Sequence, residues 1–445
     1  MSSQKKISLA MLIGSASGGH PASWLHPKAN AAGSTDIDHY RALAQTAERG
    51  LFDLFFIADT PAARTDNLHA WSRFPMFMNV LEPVTLLTAL AGATRRIGLG
   101  GPVSTSFSEP YNVARQFASL DHISAGRAAW NVVTSANDYA ARNFGHETLP
   151  PHALRYEKAG EFVDVVNKLW NSWDDDAFIL DRKSGLFFDP ARQHAVHHQG
   201  KFFKVDGALN IARSPQGHPV IIQAGQSGPG KRFAAKWGEL LFVGSPVTLD
   251  LGRENYKQIK ADVAAHGRDP AHCVIAPSAY IVSAETKMEA EDKMAFIETL
   301  ATDEDALSLL SESMNFDFST KELDEPFTDE ELAGISGTQS QRDRTVQLSG
   351  KKNPTVRDFI THTRRARPNK PFVGGPKEVA DGLEEWFSTG VCDGFVVAAT
   401  HVPGTYAEFV KHVIPELQRR GLYHKDYKGA TLRENLGLPI PRVGG

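Results

Sequence analysis

Eight short apolar runs recur along this chain, and nearly every one adjoins a stretch of helical periodicity. Such an alternation predicts a parallel sheet covered by helices. The clearest unit spans 110 to 145. Val113, Phe117, Leu120 and Ile123 are spaced by three and four, which predicts a helix opening near Pro110 and closing at Gly126. In the run from Ala128 to Val133 only Asn131 interrupts the apolar residues, as suits a strand buried on both faces. The remaining strands are expected at 7–14, 51–58, 97–107, 219–224, 240–244, 273–283 and 394–399. Helices are expected at 36–49, 83–93, 152–173, 225–237, 249–266, 376–388 and 406–420, with a short one at 356–365.

Eight strands favour an α/β fold of the closed (β/α)8 TIM-barrel type, which needs about 250 residues. The 445-residue chain then reads as a single domain, 1–445, with insertions at about 60–83 (carrying Trp71 and Phe74), 174–216 and 300–372. An open doubly wound sheet is the structural rival. No glycine fingerprint follows the first strand, however, and no phosphate-loop sequence occurs.

With 41% hydrophobic residues, 22% charged residues and a net charge of -4, the chain is neither disordered nor endowed with a basic field for nucleic acid. A small-molecule substrate is expected. Cys273 and Cys392 are the only cysteines, too few for a disulfide framework, so a reducing, cytoplasmic location is expected. Lys5 and Lys6, the apolar run 7–14 and Ser15-Ala16-Ser17 superficially resemble a secretory signal. The run is at the short limit for that and reads as the first strand. No stretch approaches the roughly 18 apolar residues of a membrane span.

In α/β folds ligands sit at the carboxyl ends of strands. Asn131, Thr134 and Ser135 occupy such an end, as do Asp59 and Ser104-Thr105-Ser106; simple capping of the following loops is the alternative reading. Ser227 and the glycines around it, including Gly228, precede a helix whose amides and dipole can hold a phosphate. A plain loop is the alternative there. His152 and Tyr156, four apart at a helix start, can reach the same anion. His194, His197 and His198 lack a recognised zinc spacing and read as solvated, so no metal is expected. Arg364, Arg365 and Arg367 either bind an anion from a lid or form an exposed charged face. No hydrolase motif is present.

The stretches FASLDHISAGR at 117–127 and WNVVTSANDYAARNFG at 130–145 closely resemble the nitrilotriacetate monooxygenase component A group of bacterial-luciferase-like flavin monooxygenases. So do ERGLFDLFFIAD at 48–59, SPQGHPVIIQAG at 214–225, VIPELQRRG at 413–421 and TLRENLGL at 431–438. The resemblance implies a two-component monooxygenase using O2 and reduced FMN, with the flavin supplied by a separate NAD(P)H:FMN reductase. Its small organic substrate would be oxidised with C–N or C–S cleavage, and a homo-oligomer, dimer or tetramer, is implied. FMN contacts would fall on Asp59, Thr105, Asn131, His152, Tyr156, Ser227 and Gly228, with phosphate on Tyr156 and Ser227. Catalytic roles would fall on His20, Trp24, Asn131 and Ser135. Relatives often carry arginine after the first-loop tryptophan, whereas Trp24 is followed by Leu25, so a substrate carboxylate held there is not implied. Two other readings are a flavin- or deazaflavin-dependent reductase on the same barrel and a non-catalytic flavin-binding protein. The 300–372 insertion is expected to be irregular and to act as a mobile cover.

Overall fold

A computed structural model describes residues 5–65, 68–73, 76–246, 248–362 and 372–443. Eight strands close a parallel barrel: β1 (Ser8–Ile13), β2 (Leu54–Ile57), β3 (Gly98–Ser104), β4 (Ala128–Val133), β7 (Val220–Gln223), β8 (Leu240–Val243), β9 (Val274–Ser283) and β11 (Gly394–Ala399). Each pairs with the next, and β11 returns to β1 with Ala10 opposite Val396. The antiparallel hairpin β5 (Val196–Gln199) and β6 (Lys204–Gly207) stands outside the barrel. The three residues of β10 (Phe372–Gly374) join the carboxyl end of β9.

Alternation along the strands sorts the core into two shells. Leu54, Phe56, Ala129, Ile222, Ala276 and Val396 fill the lumen, while Phe55, Trp130 and Val132 face the helices. The lumen is tight. A Cβ on Gly100 would lie 3.1 Å from both Ile222 Cδ1 and Leu54 Cδ1, so β3 crosses the barrel with no side chain there. Outside, the helices Pro110–Ser124 and His152–Trp170 press Phe117 and Phe162 onto Trp130. The buried indoles are satisfied by carbonyls, Trp130 by Val103 O at 3.1 Å and Trp170 by Ala114 O at 3.0 Å.

The amino-terminal mouth is plugged by the chain's last segment. Leu432, Leu436 and Leu438 enter the bottom of the lumen core. Arg433, 1% exposed, forms a two-pronged pair with Glu239 at 2.7 and 2.9 Å and donates to His218 O at 2.8 Å. Beside it Asp121 accepts from Ala128 N and Gln216 Nε2 at 2.9 and 2.7 Å, and burial lifts its pKa to about 6.

Two expectations need correction, and one helix was not anticipated. The 300–372 segment is not irregular: its described part carries the helices Asp303–Met314, Asp329–Gly334, Gln339–Ser349 and Val356–His362. They pack around their own core of Phe318, Phe327, Phe359 and the Trp71 ring from the first insertion, 60–83. Helix Val356–His362 ends the described part, and the expected extension to Arg365 lies outside it, as do Arg364, Arg367 and Phe74. A helix over Lys287–Leu300, opened by a Thr286/Glu289 capping box, occupies residues that had no assignment. The expected 406–420 helix is interrupted by a wide π-turn at Phe409–Val413, because Pro415 brings no N–H and its ring crowds the preceding turn. Hairpin structure in 174–216 was anticipated. No described helix is long and apolar enough to cross a membrane.

Truncating one partner of a buried ion pair strands the other, at a cost of roughly 3–5 kcal/mol. Arg433→Ala is therefore expected to lower the urea midpoint of the first unfolding transition by a corresponding amount. A shift under about 1 kcal/mol would show the plug is not a principal lock.

Candidate active site

The carboxyl ends of the barrel strands carry nearly all the residues singled out from sequence. Asn131 shares the inward parity of Ala129, and its side-chain oxygen is buried with no protein partner. A buried amide oxygen costs about 1–3 kcal/mol unless something donates to it. It therefore marks where a ligand N–H is wanted.

Immediately above, the β3 and β4 ends are stitched by hydroxyls. Ser104 Oγ and Ser135 Oγ lie 2.8 Å apart, and Ser106 Oγ donates to Thr134 O at 2.8 Å. Thr105 is fully buried and gives its hydroxyl to Val133 O at 3.2 Å, so its donor is already used by β4. Ser135 sits at φ 59, a left-handed conformation serine visits rarely. What holds it is Arg155, which donates to the Ser135 carbonyl and, at 3.4 Å, to Thr134 O. Burial leads in lowering the Arg155 pKa. Arg155 was not singled out from sequence; an arginine in a helix reads as surface charge, and only its place between His152 and Tyr156 was a signal.

A second cluster joins helix His152–Trp170 to the start of helix Gly228–Trp237. Ser227 caps the latter, accepting from Gly230 N at 3.3 Å, and its Oγ lies 3.2 Å from His152 Nε2. The His152 and Tyr156 rings meet edge to face at 5.0 Å. A Cβ on either Gly225 or Gly230 would fall 2.8 Å from the Tyr156 hydroxyl, so both glycines clear space under that phenol. His152 is held below its ordinary pKa by desolvation and then by Arg155. Gly228 is exposed at the first turn. Gln223, also unforeseen, ties this loop to β4 by donating to Val132 O at 3.2 Å.

The third group follows β1. His20 is buried, accepts from Ala22 N at 3.2 Å and faces Glu298 across 3.5 Å; Glu298 was missed because its helix was. Trp24 Nε1 donates to Arg73 O at 2.8 Å. This loop can approach β11 only because position 18 is glycine: at φ 127, a Cβ would lie 2.4 Å from Thr400 O. Beyond it His26 stacks on His401 at 3.7 Å, and burial, followed by His26, holds His401 down at about 3. Asp59, half-buried after β2, is raised to about 6 by burial and then by Glu82. Its electrostatic neighbours are Glu82 and the Thr60 backbone rather than the clusters above. The helical insertion spans this same face. Asn315 reaches Asp138 at 3.5 Å and Arg344 donates to Ser245 O at 3.2 Å. By contrast His194, His197 and His198 lie on the outer hairpin region and face three different carboxylates, Asp174, Asp206 and Glu161.

A raised carboxylate pKa means that ionisation is penalised by folding: the stability present below the ordinary value near 3.8 is lost as pH rises through about 6. Asp59→Asn should therefore match the parent in acid yet exceed it by about 1–2 kcal/mol above neutrality, a figure discounted for partial exposure. Urea midpoints at several pH values check this, and a pH-independent difference would contradict it.

The family profile described as luciferase-like monooxygenase matches residues 11–419. The chain is 40% identical to N-acetyl-S-(2-succino)cysteine monooxygenase of Bacillus subtilis, over 99% of this chain and 98% of that one. It is 38% identical to nitrilotriacetate monooxygenase component A of Aminobacter aminovorans, with the same coverage. A crystal structure of riboflavin lyase with modified FMN and riboflavin superposes with a TM-score of 0.87 at 31% identity, covering 98% of this chain and 97% of that one.

Proposed function

The chain belongs to the luciferase-like monooxygenases, flavin-dependent enzymes acting on small molecules, and we propose that its reduced FMN is held between Tyr156, Ser227 and Asn131. The observation that carries this reading is the convergence of His152, Tyr156 and Ser227 over two glycines at a helix start. A phenol, a hydroxyl and helix-terminal amides suit a phosphate, and the neutral, desolvated His152 can donate without adding a fixed charge. From there the flavin would reach toward Asn131, whose buried oxygen accepts from a ring N–H. The hydroxyl lattice of Ser104, Ser106 and Ser135, fixed by Arg155, sets the wall beneath it. Gly228 lies at the first turn beside the phosphate. Asp59 and Thr105 belong to the same rim, Thr105 through its remaining lone pairs.

Reduced flavin held there would supply the electrons that activate dioxygen; the chain's task is to bind, orient and exclude water. His20 and Trp24 line the approach from β1. Ala22 N donates to His20 Nδ1 and Glu298 faces Nε2 across 3.5 Å, so a proton moved by this ring passes between Nε2 and Glu298. The helical insertion closes the face from above. We infer that a separate NAD(P)H:FMN reductase supplies the flavin, since no nicotinamide fingerprint is present in the sequence. Oxidation leading to C–N or C–S cleavage in a cytoplasmic small molecule is the fitting outcome. Relatives named as monooxygenases along the full length favour this over hydride transfer by a reductase or a non-catalytic flavin carrier.

Two measurements test the reading. Losing one hydrogen bond to a charged group costs roughly 1.5–3 kcal/mol, about one to two decades in affinity. Tyr156→Phe and Ser227→Ala should weaken FMN by that factor while leaving riboflavin binding nearly unchanged; equal weakening of both ligands would move the phosphate elsewhere. In the second, the purified chain with FMN should not consume NADH unless a reductase is added. With reductase and air, a screen of sulfur and nitrogen compounds read by mass spectrometry should show a product with gained oxygen or a cleaved bond. Steady NADH consumption by the chain alone would refute the two-component assignment.

A further inference from the structure

The described part of the helical insertion, 300–362, carries six lysines and arginines, and all but one are neutralised from within the insertion. Lys321, Arg342, Lys351, Lys352 and Arg357 each meet an Asp or Glu at 2.6 to 2.9 Å. Arg344 is the exception. Among the described residues no carboxylate pairs with it; the guanidinium makes one hydrogen bond, from Nη1 to Ser245 O at 3.2 Å, and its Nε is buried with no partner. Burial is what lowers its pKa, with no opposite charge offsetting the loss of water.

The one group Arg344 does reach belongs to the barrel. Ser245 follows β8 and is tied down by its hydroxyl, which donates to Ser278 O of β9. Ser278 lies in register opposite Val396, a lumen residue, and Tyr280 shares its inward parity. The guanidinium is therefore lodged over the β8 and β9 ends, above the same lumen that Asn131 enters. A half-buried cation left without a counterion is costly to the empty chain, and such an arrangement is characteristic of a ligand site.

We propose that Arg344 binds the substrate, and that the small molecule oxidised at its nitrogen or sulfur is one that carries a carboxylate. A planar guanidinium offers a carboxylate parallel N–H bonds, so the anchor orients the rest of the molecule as well as retaining it. The inference rests on the carboxyl face being the reaction site, as proposed above. It also supplies from the insertion the charge that the first loop lacks, where Leu25 follows Trp24. The flavin's phosphate is the competing anion. Arg344 sits on Ser245, which β9 holds, whereas Ser227 and Tyr156 meet at the helix that precedes β8, which favours the substrate as the occupant.

The test uses the full chain with oxidised FMN and no reductase. The probes are N-acetyl-S-methylcysteine and iminodiacetate, each set beside its primary amide, with binding read as a rise in melting temperature. The acids should protect the parent and the amides should not. Arg344→Gln should need at least tenfold more acid for the same protection, since losing a charge-assisted hydrogen bond costs about one to two decades. Arg344→Lys should recover part of that loss. Without any probe, Arg344→Gln should melt no lower than the parent, because it removes a charge that folding had to desolvate. A lower melting temperature would give Arg344 a structural task and overturn the proposal, as would protection by acid and amide alike or by neither. The variant should also bind FMN and riboflavin as the parent does. A selective loss of FMN would make Arg344 a phosphate ligand instead. Failure of Tyr156→Phe and Ser227→Ala to spare riboflavin, by contrast, would remove the phosphate assignment and leave the carboxylate anchor standing. With reductase and air, KM for an acid turned over should rise by the same factor with kcat nearly unchanged; a fall in kcat alone would count against an anchor.

Discussion

A closed parallel barrel buries each of its strands twice, once against the lumen and once against the helices, and the rest of this molecule follows from that constraint. Interior positions must be apolar or small, as Leu54, Phe56, Gly100, Ala129 and Ile222 are. Polar groups are pushed to the strand ends. Where one remains within a strand, as Asn131 does, it carries a desolvation cost that only a partner from outside the chain offsets. The candidate site is thus what the barrel cannot fill for itself.

The same constraint explains what could be read in advance. Barrel strands are short apolar runs with little tolerance for charge, so β4 and β11 were expected at their observed limits and the other six within a few residues. Leu51, at φ 58, delays β2 because the chain must still turn after its helix. The spacing of His152 and Tyr156 was visible as one helical face. Their meeting with Ser227 was not derivable from spacing, since it depends on two elements packing. Apart from Val356–His362, which was expected, the insertion helices were missed for a different reason. Their apolar residues serve one another and Trp71 rather than the barrel, so they fall outside the strand-helix rhythm that a barrel repeats. The capping boxes at Thr286/Glu289 and Thr328/Glu331 were legible start signals that periodicity alone passes over. Arg155 and Glu298 followed: a buried charge is recognised by what it touches, and both touch distant segments.

Hydrophobicity therefore selects the barrel, while polar contacts of long sequence separation set its working geometry. Gly18 against Thr400 draws the first and last strands' loops together. Arg155 against the carbonyls of 134 and 135 holds a turn that serine alone would abandon.

The plug at the opposite mouth belongs to this second class of contact. β7 has only four residues, Val220–Gln223, so it spans about 13 Å and carries little side-chain area with which to fix its own direction. At its amino end Glu239 accepts from Ile221 N at 3.0 Å while holding Arg433, which in turn donates to His218 O. At its carboxyl end Gln223 donates to β4, and the chain passes directly into Gly225 and Ser227. A strand this short transmits any tilt at one end to the other. The buried Arg433–Glu239 pair, costly as a source of stability, aims β7 so that Ser227 arrives beside Tyr156, and the fold's amino face thereby sets the geometry of its carboxyl face.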